Sequence, residues 1–493
     1  MKKINTPNWV KEAVFYQIFP DRFAKSERVQ KPGNIEPWSE PPTGQGYKGG
    51  DLLGIVERLD HIQALGINAL YLNPIFQSAC NHRYHTHDYY QVDPLLGGNA
   101  ALRELVDEAH KRDIRIVLDG VFNHASRGFF QFNDILENGP YSAWLDWFTV
   151  EAWPLAPYDG SKPANYDSWV GNRALPNFNT DNPQVREYIM QIAEYWLREY
   201  DIDGWRLDVP AEITTPGFWE EFRQRVRAVN PEAYIVGEIW EVAPDWLQGD
   251  RFDALMNYPL TSAIVAFTAG DRVSRRLAGN RSYQPYPTLD AADYAGQIEQ
   301  LLAAYDWEIT QVQLNLLDSH DTPRILSLVR GDKRSVILAT LLQMTFPGAP
   351  CIYYGNEIAI RGTTDYEADH DDKDARWTFP WQDEAAWDKG MLATFKELIA
   401  LRHAHVALRR GSYHHLYAAG DVYVFARRHE TETLLVAVNV AEKDQSVLVK
   451  TADFLPDPHS LKPLYGQGAV TTGDNPGQVA LSLPGRSGMV LQV

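Results

Sequence analysis

Eight short apolar runs, most of them followed by a stretch of helical periodicity, punctuate the first 400 or so of the 493 residues. AVFYQIFP (from Ala13), NALYLNPIF (68–76) and RIVLDGVFNH (from Arg115) are rich in β-branched and aromatic residues and too short for surface helices, so they read as buried strands. Between them, DLLGIVERLDHIQAL (51–65) and NAALRELVDEAHKR (from Asn99) repeat apolar residues every three to four positions, which predicts helices. The strand series continues with DGWRLDV, YIVGEIW, DALMNYPL, QVQLNLLDSHD and APCIYYGNE. The helical stretches among them are NPQVREYIMQIAEYWLREY, GFWEEFRQRVRAV and KRSVILATLLQMTF, with a last helix near MLATFKELIALRHAH. Strands separated by helices run parallel, and eight such units fit a (β/α)8 barrel of about 250 residues enlarged by insertions.

Two regions depart from the alternation. Residues 125–180 are rich in Trp, Tyr, Pro, Asn and Gly without sustained periodicity and read as a domain inserted after the third strand. Beyond about Ala407, short strands such as VYVFARRH and TLLVAVNV separated by turn residues predict a C-terminal antiparallel β-sandwich. The expected α/β architecture is therefore a TIM barrel over 1–124 and 181–407, an inserted domain over 125–180 and a sheet domain over 408–493.

A net charge of −19 argues against a nucleic-acid binder, which needs clustered Lys and Arg, and against anchoring on anionic membranes. No run is long enough to span a bilayer, and MKKINTPNWVKEAVFYQ lacks the apolar core of a secretory signal, which makes the cytoplasm the expected location. The two cysteines, Cys80 and Cys351, lie in apolar stretches whose spacing matches neither a metal site nor a disulfide framework; they are expected to be buried free thiols.

In such a barrel, chemistry takes place at the C-terminal ends of the strands. There the third strand carries Asp119, Asn123 and His124, the fourth Arg206 and Asp208, the fifth Glu238, and the seventh Asp318, His320 and Asp321. Strand side chains alternate with period two, so Arg206 and Asp208 share one face while Trp205, Leu207 and Val209 share the other. Two carboxyls suffice to hydrolyse a glycosidic bond, one as nucleophile and one as acid. Asp208 suits the nucleophile, because Arg206 beside it is expected to lower its pKa and keep it ionised; Glu238, at the end of an apolar strand, suits the acid, because desolvation raises a carboxyl pKa. Adjacent strands lie about 4.8 Å apart, which matches the roughly 5–5.5 Å carboxyl separation of a retaining enzyme. A divalent-metal hydrolase is the competing reading of the same histidines and carboxylates, and the missing H-x-H on the first strand counts against it.

DGVFNH (119–124), GWRLDVPAE (204–212), GEIW (237–240) and LLDSHD (316–321) resemble, in order, the four sequence regions of the α-amylase family, glycoside hydrolase family 13. The resemblance covers essentially the whole chain, and the interruption after strand three is similar to the family's domain B. It implies a retaining mechanism on α-linked glucans with Asp208 as nucleophile, Glu238 as acid/base and Asp321 as transition-state stabiliser. It further implies that Arg206 orients Asp208, that His124 and His320 bind the sugar, and that Asp119 and Asn123 support the site. YLNPIFQSACNHRYHTHDYYQVDP and VGEIWEVAPDWLQGDRFDALMNYPL are similar to the neopullulanase, cyclomaltodextrinase and maltogenic amylase branch, as is LPNFN (175–179). That likeness places His82 and Tyr84 near the sugar, Tyr84 as a stacking platform.

Three features depart from the branch. The first barrel strand starts near the N-terminus, where the branch has an extra β-domain; the calcium loop is replaced by AKSERVQ (24–30), although Gly49 and Asp51 of YKGGD remain; and Pro210 and Ala211 stand beside the acceptor subsites. With most oxygen ligands gone, calcium is expected to bind weakly or not at all, and no cofactor is required. The expected function is hydrolysis of α-1,4 bonds, with α-1,6 bonds a further target, in maltooligosaccharides, cyclodextrins, pullulan or starch. A glucan transferase or exo-α-glucosidase would use the same residues, and a non-catalytic glucan-binding subunit is the reading from another class. The oligomeric state stays open.

Overall fold

The computed structural model describes residues 4–279, 286–362, 373–451, 461–472 and 477–493. Eight parallel strands form the central sheet: β1 (Phe15–Ile18), β2 (Ala69–Leu72), β3 (Arg115–Gly120), β4 (Gly204–Leu207), β5 (Tyr234–Gly237), β6 (Ala254–Leu255), β7 (Leu314–Leu316) and β8 (Ala349–Tyr353). Their spatial order is β6-β5-β4-β3-β2-β1-β8-β7. A parallel bridge between Met256 and Leu314 joins the two ends, so the sheet curls into a ring. Nearly every strand residue is buried, because side chains pack inside the ring on one face and under the helices on the other. Gly204 is required where β4 meets β5: a Cβ there would fall 2.2 Å from the Tyr234 carbonyl oxygen.

The helices and strands follow local chemistry, with two departures from the sequence expectation. DLLGIVERLDHIQAL forms two helices, Leu52–Val56 and Leu59–Leu65, separated at Arg58, whose backbone leaves the helical region at φ −112° and ψ 3°. DALMNYPL keeps only two strand residues, because the Asn257 side chain accepts from Leu260 N and Pro259 sits in the first turn, starting the helix Tyr258–Ala269.

Between β3 and the helix Pro183–Tyr200 the chain runs through the helix Phe130–Asn138 and irregular segments joined by isolated bridges such as Phe148 to Phe178. After β2, a hairpin of Phe76–Ser78 and Thr86–Val92 projects over the same end of the ring.

The C-terminal region holds β9 (Ser412–Ala419), β10 (Val422–Arg428), β11 (Thr433–Asn439), β12 (Gln445–Lys450), β13 (Lys462–Gly466), β14 (Ala469–Thr472), β15 (Gln478–Leu483) and β16 (Ser487–Gln492). They make a five-stranded sheet, β9-β10-β11-β16-β13, and a three-stranded sheet, β12-β15-β14. The alternation along β10 shows how the sandwich joins the barrel. Val422, Val424 and Ala426 pack with Val449, Val479 and Leu481 of the second sheet, while Tyr423 and Phe425 belong to the core shared with the barrel. Among the described residues, no helix is long and apolar enough to cross a membrane.

Candidate active site

Strand register builds the centre of the site. Asp119 on β3 lies opposite Arg206 on β4, and Leu207 lies opposite Gly237, which puts Asp208 and Glu238 just beyond neighbouring strand ends. Arg206 is fully buried and shares its charge among three carboxylates. Its Nη1 donates to Asp119 Oδ1 at 2.9 Å and to Asp208 Oδ1 at 3.0 Å, and Nη2 lies 2.8 Å from Glu238 Oε2. Burying a guanidinium costs several kcal/mol, roughly, and only partners on several strands offset that here. Tyr71 Oη on β2 donates to Asp119 Oδ2 at 2.7 Å, so Asp119 is held from two sides.

The alternation expected along GWRLDVPAE holds through Leu207 and then breaks. Val209 turns into the left-handed region at φ 34°, a conformation that a β-branched residue adopts only under constraint. The turn ends the strand and aims Val209 N at Glu238 Oε2, 3.2 Å away. Trp240 Nε1 donates to the other oxygen, Oε1, at 3.2 Å. Trp240 also stacks on Tyr258 at 3.8 Å, with ring planes 3° apart, beside a groove of about 590 Å³ that Val209, Ala211 and Glu238 line as well.

On the far side, His320 Nε2 lies 2.6 Å from Tyr84 Oη and 3.0 Å from Asp321 Oδ2. Gln17 Nε2, 2.9 Å from Nδ1, donates there and leaves an Nε2–H to face Tyr84 and Asp321. Tyr84 donates to Asp119 Oδ2 at 3.0 Å, linking this group to the arginine cluster. Arg376 donates to the His320 carbonyl and to Asp321 Oδ1.

His82 sits beside Tyr84, with ring centroids 5.6 Å apart. His124 is buried against Trp169, and its Nε2 meets no hydrogen-bond partner among the described residues. Asn123 donates to Asn177 Oδ1, and its carbonyl accepts from Phe178 N, so it ties LPNFN to the end of β3. The structure thus gathers Asp119, Arg206, Asp208, Glu238, Asp321, His320 and Tyr84 into one network. It gives Asn123 a bracing position and sets His82 and His124 at the edge.

Three carboxyls meet three environments. Burial raises Glu238, and burial together with the charge of Glu238 raises Asp208 well above the usual carboxylate range. The expectation that Arg206 alone keeps Asp208 ionised is therefore corrected for the free protein. Arg206 does lower Asp208, but desolvation by burial and the neighbouring charge of Glu238 outweigh it. Asp321 behaves oppositely: against the desolvation of burial, His320 and Arg376 hold it well below the usual range. Burial also pushes His124 down to about 3.

Comparison with known proteins places the chain. Residues 17–411 match the model of the α-amylase catalytic domain, and residues 411–491 match that of the α-amylase C-terminal domain. The chain belongs to the α-amylase family. A cyclomaltodextrinase from Bacillus sp. is 42% identical over 436 residues, which cover 88% of this chain and 73% of the relative. The native debranching enzyme of Nostoc punctiforme has a solved structure that matches with a TM-score of 0.91 at 55% identity, covering 100% of both chains. A cyclic α-maltosyl-(1→6)-maltose hydrolase from Arthrobacter globiformis matches with a TM-score of 0.86 at 35% identity, over 99% of this chain and 100% of that one.

Within this α-amylase-family glycosidase, several partners of the site escape a sequence reading. Tyr71 and Gln17 lie inside apolar strands, where the only signal is that each is a polar-tipped residue facing the ring. Arg376 is some 55 positions from its partner Asp321, and nothing local connects them. Conversely, Asp318 is not in the cleft: it accepts from Ile325 N at 2.7 Å and Asn356 Nδ2 at 2.6 Å, and burial lifts it to about 6. Its work is to fold the loop that carries His320 and Asp321.

The residues at the family's calcium position do not fit a divalent ion. Asp51 is buried, caps the helix Leu52–Val56 through Gly54 N and accepts from Ser26 N. Lys31 Nζ lies 2.9 Å from Asp51 Oδ2 and donates to the Leu95 carbonyl at 2.6 Å. An ammonium thus already neutralises the carboxylate that would remain as a calcium ligand.

Proposed function

We propose that the enzyme hydrolyses α-1,4-glucosidic bonds of maltooligosaccharides and cyclodextrins, and α-1,6 bonds of branched glucans, with retention through a covalent glycosyl-aspartate. The observation that carries this reading is the single guanidinium of Arg206 touching both Asp208 and Glu238 across adjacent strands, which suits the closer spacing of a retaining pair. Asp208 attacks the anomeric carbon while Glu238 protonates the departing glycosidic oxygen. Glu238, now ionised, deprotonates the water that releases the sugar from Asp208. Asp321, kept ionised by His320 and Arg376, holds sugar hydroxyls as the ring flattens toward the oxocarbenium ion, and Tyr84 offers it a stacking face. The α-1,6 component rests on the likeness to a debranching enzyme and to a hydrolase whose substrate carries an α-1,6 bridge.

Incubation with maltoheptaose, β-cyclodextrin, pullulan and soluble starch tests the specificity. NMR of the first product tests the stereochemistry: the α-anomer is expected, and an initial β-anomer would require an inverting mechanism. Long transfer products that exceed the hydrolysis products would instead favour the transferase.

The raised carboxyls set the pH profile. Activity needs Asp208 ionised and Glu238 protonated, so kcat/KM falls below the lower apparent pKa of the pair and above the upper one. With both groups raised, the acidic limb is expected above the ordinary aspartate value of about 3.9. An acidic limb at or below that value would contradict the desolvation argument.

We further propose that no metal is required, because Lys31 serves Asp51 in place of a cation. EDTA is expected to leave activity and melting temperature unchanged. Lys31→Met strands a buried carboxylate and is expected to cost about 3–5 kcal/mol; a shift in melting temperature on chelation of the wild-type enzyme would overturn this reading. Two thiols outside any disulfide support placing the enzyme in the reducing cytoplasm.

A further inference from the structure

At the rim, the sugar-site candidate His82 also belongs to a side-chain cluster with Cys80 and His85, which have no part in the mechanism above. Cys80 is not the buried thiol in apolar surroundings expected from the sequence: it lies half-buried in the loop of the hairpin after β2, beside polar groups. Its Sγ is 3.2 Å from Ser78 Oγ and 3.4 Å from His82 Nδ1. The His82 and His85 rings meet edge to face at 5.1 Å, and one ligand atom each of Cys80, His82 and His85 all fall within 4.8 Å of one another.

We propose that Cys80, His82 and His85 form a binding site for a soft divalent cation of the Zn2+ class, and that its occupation inhibits the enzyme. Zinc bonds of about 2.3 Å to sulfur and 2.0–2.1 Å to nitrogen, at a tetrahedral angle, place S and N about 3.6 Å apart, close to the distance found between Cys80 and His82. One thiolate and two imidazoles are a donor set that favours zinc over the hard, oxygen-seeking cations. The loop is also pre-shaped. Arg83 is buried at its centre, paired with Asp93 at 3.2 Å and Asp21 at 3.4 Å, and Asn81 donates to the Gly44 and Gly46 carbonyls at 2.9 Å each. The ligands therefore need little ordering on binding.

A cleft of about 560 Å³, lined by Cys80, His82 and His85 and also by His87, leads to the cluster and leaves room for a water as fourth ligand. Arg127, which lines the same cleft, is turned onto the Tyr158 ring and the Pro157 carbonyl. Binding replaces the thiol proton, which passes to solvent, by the metal. It also draws the His82 Nδ1 lone pair away from Tyr84 N, from which it now accepts at 3.2 Å. The metal thereby pulls on the loop that carries Tyr84 and leaves positive charge beside the sugar site.

The test is direct and does not depend on the glycosidase reading. Cobalt added to the EDTA-stripped enzyme is expected to give a thiolate-to-metal charge-transfer band with one ion per chain. The band is lost in Cys80→Ala, since Cys351 is buried in β8. Zinc is expected to inhibit maltoheptaose hydrolysis reversibly, EDTA restoring it. Cys80→Ala should keep full zinc-free activity yet need more than the roughly 10- to 100-fold excess that loss of even an outer partner costs; His85→Gln should weaken the cobalt band as well. Absence of the band in the wild type, or equal zinc sensitivity of the wild type and Cys80→Ala, would overturn the proposal. If the glycosidase reading itself failed, there would be no activity to inhibit, and the cobalt band would still decide the site.

Discussion

Asp208→Asn is expected to lose about 10⁴-fold or more in kcat, the scale on which removing a nucleophile disables other hydrolases, with little change in substrate affinity. Asparagine fills the same volume and can still accept from Arg206, so the protein should melt near the wild-type temperature. The azide test separates the roles. In Asp208→Ala, azide enters from the side of the missing carboxylate and gives a β-glycosyl azide. In Glu238→Ala, it intercepts the glycosyl-enzyme and gives the α-glycosyl azide. A Glu238→Gln variant should recover on substrates whose leaving groups need no proton, whereas Asp208→Asn should not. Retention of more than a small percentage of activity in Asp208→Asn would remove that residue from the nucleophile's place.

The second large effect is on stability. Arg206→Met leaves Asp119, Asp208 and Glu238 buried without their shared cation and is expected to destabilise the enzyme by about 3–5 kcal/mol near pH 7. The sign with pH follows from linkage. Asp208 and Glu238 already sit above their ordinary values with Arg206 present, and loss of the guanidinium, which lowers both, raises them further. Stability therefore falls as pH rises through that interval and is partly recovered as the pH is lowered and these carboxyls take up protons. Asp119→Asn in the same background should restore part of the loss, because one stranded charge is gone. Arg206→Lys has one nitrogen where the site uses two, and it is expected to lose about 10²-fold in activity through misplacement of the two carboxyls. Melting of Arg206→Met at the wild-type temperature across this range would show that the network contributes nothing to folding.

Chelation and added zinc are expected to have different outcomes, decided at two places on the hairpin side of the barrel. EDTA should leave the wild type untouched because Lys31 answers Asp51, while zinc should inhibit through Cys80. The contrast is chemical: an oxygen site already neutralised by an ammonium has no use for a cation, whereas a thiol beside two imidazoles does.

The sequence by itself determined the parts whose physics is local. Apolar runs too short for helices became the eight strands, and the period of two placed Arg206 and Asp208 on one face, where the structure finds them 3.0 Å apart. The four motifs sit on β3, β4, β5 and β7 because each is a strand end, read directly from residue order. Only the tertiary structure decided what depends on neighbours remote in the chain. It divided one guanidinium among carboxylates from three strands, and burial with the charge of Glu238 raised Asp208 where the local pair alone argued for lowering it. It turned Asp318 away from the cleft, brought Arg376 to Asp321, seated Lys31 against Asp51 and opened Cys80 to His82 and His85. Desolvation and ion pairing are properties of what surrounds a group, and that surrounding exists only once the ring has closed.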